Sequence, residues 1–139
     1  MIRLLTIGDG NFSFSSCLAK ILTREISNND YTLHATSFDS LNELSIKYPE
    51  SISIINELNN FEFVKVLHSI DATNLVKCLP EQSIFDCIIF NFPHLGTENC
   101  LQHSAFIAHI FDRYYYANTF KRTICSSHVS LIRYFIALH

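Results

Sequence analysis

Apolar and polar positions fall into two rhythms along this chain, one suited to buried strands and one to amphipathic helices. Residues 3–7 form a short apolar run closed by Gly8 and Gly10, the pattern of a buried parallel strand. From Phe12 the apolar residues change to helical spacing, through Phe14, Cys17, Leu18, Ile21 and Leu22, with Ser13 as the expected N-cap. Asn28, Asn29 and Asp30 break that helix, and residues 31–38 read as a second strand ending at Asp39. Residues 41–48 and 52–58 predict two short helices, the first stopped before Pro49. Residues 61–67 alternate in the manner of a third strand, with Asp71 just beyond it, and residues 74–79 make a helical turn ended by Pro80. Residues 85–92 are the fourth and most apolar strand. Residues 101–117 have helical spacing through Phe106, Ile110 and Tyr114, and residues 127–136 are β-prone enough for a fifth strand.

Strands alternating with helices at this spacing imply a parallel sheet with right-handed crossovers. The expected architecture is α/β: one Rossmann-like domain over residues 1–139, its sheet ordered 3-2-1-4-5. No linker, internal repeat or low-complexity stretch interrupts it. The segment His128 to Ile136 would then form a sheet edge with one charge and many β-branched and aromatic residues. Exposed, it would pair with a second copy of the chain.

Composition narrows the picture. With 139 residues, 48% of them apolar and 17% charged, the chain can bury a real core and is too apolar for a disordered tail. The net charge is −3, whereas a domain gripping RNA alone usually carries a basic stripe. Lys121, Arg122 and Arg133 are the one basic concentration, so a polyanionic substrate would need a partner or a local patch. The five cysteines (Cys17, Cys78, Cys87, Cys100 and Cys125) include no C-x-x-C pair, as expected of reduced thiols in a soluble intracellular protein. Cys17 and Cys87, on apolar faces, are expected core thiols. The first apolar run is too short for a signal peptide or a membrane span, so no membrane association is expected.

The densest chemical signal is Gly8-Asp9-Gly10-Asn11-Phe12-Ser13, which holds two of the chain's three glycines in one strand-to-helix turn. Glycine permits positive φ and lets a ligand approach without meeting a Cβ, and a helix start offers unpaired N–H groups. A nucleotide-type ligand is one reading; a turn that merely connects two elements is the other. Asp39, at the end of the second strand, suits ribose hydroxyls or a cap on the helix near Leu41. Asp71 suits an adenine amino group or a cap on the next helix. Asn91-Phe92-Pro93-His94 follows the fourth strand, where open α/β sheets bind ligands. An amide, a carbonyl and an aromatic there suit a flat nucleobase, and a rigid strand exit is the alternative. Gly96 soon after suggests close backbone approach. His94, Cys100 and His103 match no common zinc spacing, so no metal is expected.

Four segments together resemble one family: residues 4–15, residues 35–40, residues 70–75 and residues 85–94. In order and spacing they are similar to the Bmt5-like ribosomal-RNA uridine-N3 methyltransferases, most strongly over residues 3–96. In other proteins of that family this domain is fused to a ferredoxin-fold anticodon-binding domain. The resemblance implies a Rossmann-like fold that uses S-adenosylmethionine, C-terminally shortened relative to a full methyltransferase sheet. It implies cofactor binding by Gly8, Asp9, Gly10, Asn11, Phe12 and Ser13, ribose contact at Asp39 and adenine contact at Asp71. The target uridine of ribosomal RNA would lie against Asn91, Phe92, Pro93 and His94, with Asn91 and His94 catalytic. His94 is the titratable side chain in that turn and the candidate base for the N3 proton. The implied compartment is the nucleus, nucleolus or cytoplasm. Two other readings stay open: a degenerate domain serving as an interaction module, and a nicotinamide-dependent oxidoreductase using the glycine turn and Asp39.

Overall fold

The computed structural model describes residues 1–25, 31–79, 85–91, 99–116 and 124–126. Within them, β1 (Ile2–Ile7), β2 (Tyr31–Thr36), β3 (Val64–Leu67), β4 (Cys87–Phe90) and β5 (Ile124–Ser126) form one parallel sheet. Their order is β3-β2-β1-β4-β5, as expected from the sequence. The helices are α1 (Ser13–Glu25), α2 (Leu41–Lys47), α3 (Ser51–Leu58), α4 (Leu75–Cys78) and α5 (Cys100–Tyr116).

Alternation along β1 explains the layers. Leu4 faces one side, where it packs with Leu18 and Leu22 of α1, Leu44 of α2, and Ile55 and Leu58 of α3. Leu5 and Ile7 face the other side, against Leu75 of α4, Ile110 of α5, Ile70, Phe85 and Ile88. A strand buried on both faces needs this near-continuous apolar run. The register carries the pattern across the sheet, because Leu4 lies opposite Leu33 and Cys87, and Leu5 opposite His34 and Ile88. Asp86 fastens the entry to β4, accepting from the Arg3 backbone N–H at 2.9 Å and donating its own N–H to the Arg3 carbonyl at 2.8 Å.

Several boundaries differ from the sequence reading. β3 starts at Val64 rather than at residue 61, because Phe61 and Val64 donate back to Leu58 and Phe61 in successive turns. The turn at residues 74–79 divides into a 3₁₀ turn, Ala72–Asn74, followed by α4. β5 is described at Ile124–Ser126, where Ile124 pairs with Ile88, and the strand expected at residues 127–136 lies outside the described residues. Residues 127–139, with the proposed self-pairing edge, lie outside the described residues. Cys87 is buried as expected, whereas Cys17 lies on the exposed side of α1 and is not a core thiol.

Leu5 is fully buried at the centre of the sheet. Leu5→Ala should therefore lower unfolding free energy by about 2–5 kcal/mol, combining lost transfer and cavity terms. In urea denaturation the midpoint should fall with the slope unchanged. A loss below about 1 kcal/mol would contradict this packing.

Candidate functional site

β1, β2 and β3 run in parallel, so their C-terminal ends share one edge of the sheet. Backbone bonds stitch those ends together. Asp9 N–H donates to the Thr36 carbonyl at 3.3 Å, Ser37 N–H to Leu67 at 3.0 Å, and Ile70 N–H to Ser37 at 3.0 Å. The glycine turn, Asp39 and Asp71 are thereby brought to one rim. The strand order reverses between β1 and β4, the place where such sheets bind ligands.

The two glycines have different reasons. Gly8 has φ +64°, and a Cβ on it would sit 2.7 Å from Cε2 of Phe90. Gly10 lacks a positive φ, and its missing Cβ faces the Tyr48 ring at 3.6 Å. At Gly8 the Phe90 ring occupies the space a Cβ would take, so its missing side chain makes room for the chain itself, whereas at Gly10 the Tyr48 ring stands at ordinary van der Waals distance.

Phe12 is left-handed, with φ 65°, and wholly buried, its ring edge-on to His68 at 5.5 Å between centroids. The left-handed conformation costs roughly 1–2 kcal/mol, and burying the ring returns about 1.5–3 kcal/mol. Burial therefore carries the strain, and Phe12 anchors the turn in the core.

Asp9 points inward, 8% exposed, and its Oδ2 accepts the Ser15 N–H at 2.6 Å. Burial pushes its carboxyl above the usual carboxylate range, opposed by hydrogen bonds from Ser15 and Phe14. Asn11 Oδ1 accepts the Ser13 N–H at 3.1 Å. Ser13 is consequently the first residue of α1 and not its N-cap, since Asp9 and Asn11 do the capping from the preceding turn. The helix start does not present free N–H groups at these positions. The backbone N–H groups of Gly10 and Asn11 do remain without a partner among the described residues. Beneath the turn, Thr6 and Ser15 hydroxyls meet at 2.7 Å, and Thr36 Oγ1 donates to the Thr6 carbonyl at 2.7 Å.

Asp39 does not cap α2. Ser40 does, in a capping box with Glu43. The Asp39 carboxylate instead pairs with Lys47 Nζ at 2.5 Å. Asp71 caps the 3₁₀ turn, its Oδ1 accepting from Thr73 N–H at 2.8 Å and Thr73 Oγ1 at 2.7 Å. Asn91 follows β4 directly and is half-buried, whereas Phe92, Pro93, His94 and Gly96 lie outside the described residues. Among the described residues no three His, Cys, Asp or Glu side chains are grouped to hold a metal ion.

The junction between α2 and α3 was invisible in the sequence pattern. Lys47 reaches Asp39, Tyr48 lies over Gly10, and Glu50 Oε1 accepts from Asn11 Nδ2 at 3.2 Å. No local motif marks these residues, because each partner lies in a loop beyond β1 or β2 rather than on the junction itself.

A family model described as rRNA (uridine-N3-)-methyltransferase BTM5-like matches residues 5–130. The uncharacterized protein At4g26485 of Arabidopsis thaliana is 38% identical over 97 residues, which are 68% of this chain and 43% of that protein. The chain thus spans less than half the length of that relative. Among solved structures, a human methyltransferase 10 domain containing protein aligns with a TM-score of 0.54 at 18% identity, over 99% of this chain and 59% of that one. The N-terminal domain of human METTL16, solved in complex with SAH, aligns at 0.50 and 18% identity, over 99% of this chain and 52% of that one. At that identity the two structures establish a shared methyltransferase fold.

Two predictions follow from the turn. Gly8→Ala should destabilise by at least about 1–2 kcal/mol, whereas Gly10→Ala should be nearly neutral, by thermal unfolding. Equal effects would contradict the distinct backbone roles. Because the Asp9 carboxyl is raised, the folded state holds its proton more tightly than the unfolded state, so Asp9 costs stability as pH rises through its raised pKa. Asp9→Asn should therefore gain on the parent as pH climbs from the ordinary aspartate range to neutrality. A variant that instead loses ground over that interval would show that the charged hydrogen bond to Ser15 outweighs desolvation.

Proposed function

The chain belongs to the BMT5-like rRNA (uridine-N3-)-methyltransferase family, and on that premise we propose that it is an S-adenosylmethionine-dependent methyltransferase domain acting on N3 of a uridine in ribosomal RNA. The observation that carries this reading is the rim itself. It gathers the backbone donors of Gly10 and Asn11, unengaged among the described residues and next to the switch point after β1, with the carboxylates of Asp39 and Asp71 beyond the ends of β2 and β3. Those groups fit an adenosyl ligand: Asp39 accepts from ribose hydroxyls, and the Asp71 oxygen not used in its cap accepts from the adenine amine. Phe12 and the Asp9 carboxylate, turned inward, contribute by holding the turn's backbone in place.

When bound, the cofactor supplies a methyl group activated by its sulfonium. The chain's task is alignment and proton removal. In this reading Asn91 offers its amide to the uracil edge at the end of β4, Phe92 stacks on the ring, and Pro93 fixes the turn. His94 takes the N3 proton as attack proceeds. The ribosomal substrate is compatible with a nuclear, nucleolar or cytoplasmic setting. Among the described residues no helix is long and apolar enough to cross a membrane.

A second reading is a binding module with the same fold and no turnover, and the net charge of −3 favours it, since Lys121, Arg122 and Arg133 make only a small basic concentration for holding RNA. Calorimetric titration with S-adenosylmethionine and with NAD, followed by methyl transfer to ribosomal RNA, separates the readings. The proposal expects binding of the first ligand only, and product at uridine N3. Asp39→Ala should weaken cofactor binding by about 1–3 kcal/mol. Binding without transfer would favour the module, and silence toward S-adenosylmethionine would overturn the site.

A further inference from the structure

The junction joining α2 to α3 touches the rim at three points, and each contact falls on a residue assigned to ligand binding: Lys47 on Asp39, Tyr48 on Gly10, and Glu50 on Asn11. Tyr48 and Glu50 hold the junction down on the turn, which keeps the Lys47 ammonium at the carboxylate. We propose that Lys47 is a built-in competitor for Asp39, which weakens the grip of this site on any ribose-bearing ligand and makes that grip depend on ionic strength. This rests on the reading of Asp39 as the ribose-binding group.

The physical case is one of shared acceptors. Asp39 has a side chain only 17% exposed, so its approaches are few, and the ammonium occupies one of them. A ribose hydroxyl must displace Lys47 from Oδ1, share that oxygen with it, or bind Oδ2 of a carboxylate whose charge is already compensated. Either way the charge-assisted hydrogen bond that makes such a carboxylate effective is attenuated. Lys47 is itself 56% exposed, so the pair is open to solvent and to salt. Exposed pairs of this kind are weak, which bounds the competition at about fivefold in affinity. Added salt weakens the pair and releases the carboxylate.

The test uses the full chain and neutral probes, so that net charge does not confound the comparison. Lys47→Met keeps the apolar stem and removes the ammonium. Adenosine should bind this variant about two- to fivefold more tightly than the parent at low salt. The advantage should shrink in about 0.5 M salt as the parent's own pair is screened. For 2′,3′-dideoxyadenosine, which lacks both hydroxyls, the two proteins should be equal. Lys20→Met, which removes the ion pair to Glu57 at 2.7 Å and leaves the rim untouched, should match the parent. Weaker adenosine binding by Lys47→Met would make Lys47 a ligand group and overturn the proposal. An equal gain for the dideoxy probe would place its effect in packing and overturn it too. Binding of S-adenosylhomocysteine and adenosine with the same affinity in parent and variant would remove the competitor and leave the site. Binding of neither by either protein would remove both.

Discussion

A single buried carboxylate organises the edge of the sheet where β1, β2 and β3 end. Asp9 leaves β1 with its side chain turned into the protein, accepts the Ser15 N–H from the first turn of α1, and donates its own N–H to the end of β2. The cost is desolvation of an acid, visible in the upward push on its carboxyl. The return is that three elements meet in one geometry. Phe12 can then be driven left-handed into the core, and Gly8 can pass beneath Phe90. Without that bond the turn would lose its fixed exit, and α1 would keep only the Asn11 cap on Ser13.

The same bond decides what a ligand finds. Helix starts in doubly wound folds are natural anion sites, because their N–H groups are unpaired. Here Asp9 and Asn11 have taken the Ser15 and Ser13 amides, and the donors left over lie one step earlier, at Gly10 and Asn11. The rim therefore meets a ligand with backbone donors from the turn and with carboxylates from the ends of β2 and β3. That set suits a nucleoside with a polar tail better than it suits a phosphate.

The alternation of apolar runs made the sheet legible, because a parallel strand buried on both faces leaves few other solutions for residues 3–7 or 85–90. Motif spacing likewise brought Gly8, Gly10, Asp39 and Asp71 to one rim. What escaped was tertiary. Ser13 has the composition of a cap, yet the groups that cap α1 are Asp9 and Asn11, and only the fold of the turn reveals it. Both glycines read as openings for a ligand, whereas at Gly8 the space of the missing Cβ is taken by the Phe90 ring from β4. Asp39 was read as a possible cap, but Ser40 stands one residue closer to α2 and completes a box with Glu43. Lys47, Tyr48 and Glu50 left no trace in periodicity, since their partners lie on other elements.

The central claim is that the turn binds a cofactor through the Gly10 and Asn11 amides while Asp9 and Asn11 keep the helix start closed. Amide-resolved NMR titration of the chain with S-adenosylhomocysteine tests it most directly. The account predicts saturable shifts centred on the Gly10 and Asn11 N–H signals and at Asp39, with the Ser13 and Ser15 amides little changed. Shifts concentrated at Ser13 and Ser15, with Gly10 and Asn11 silent, would show the ligand displacing the caps and would contradict it.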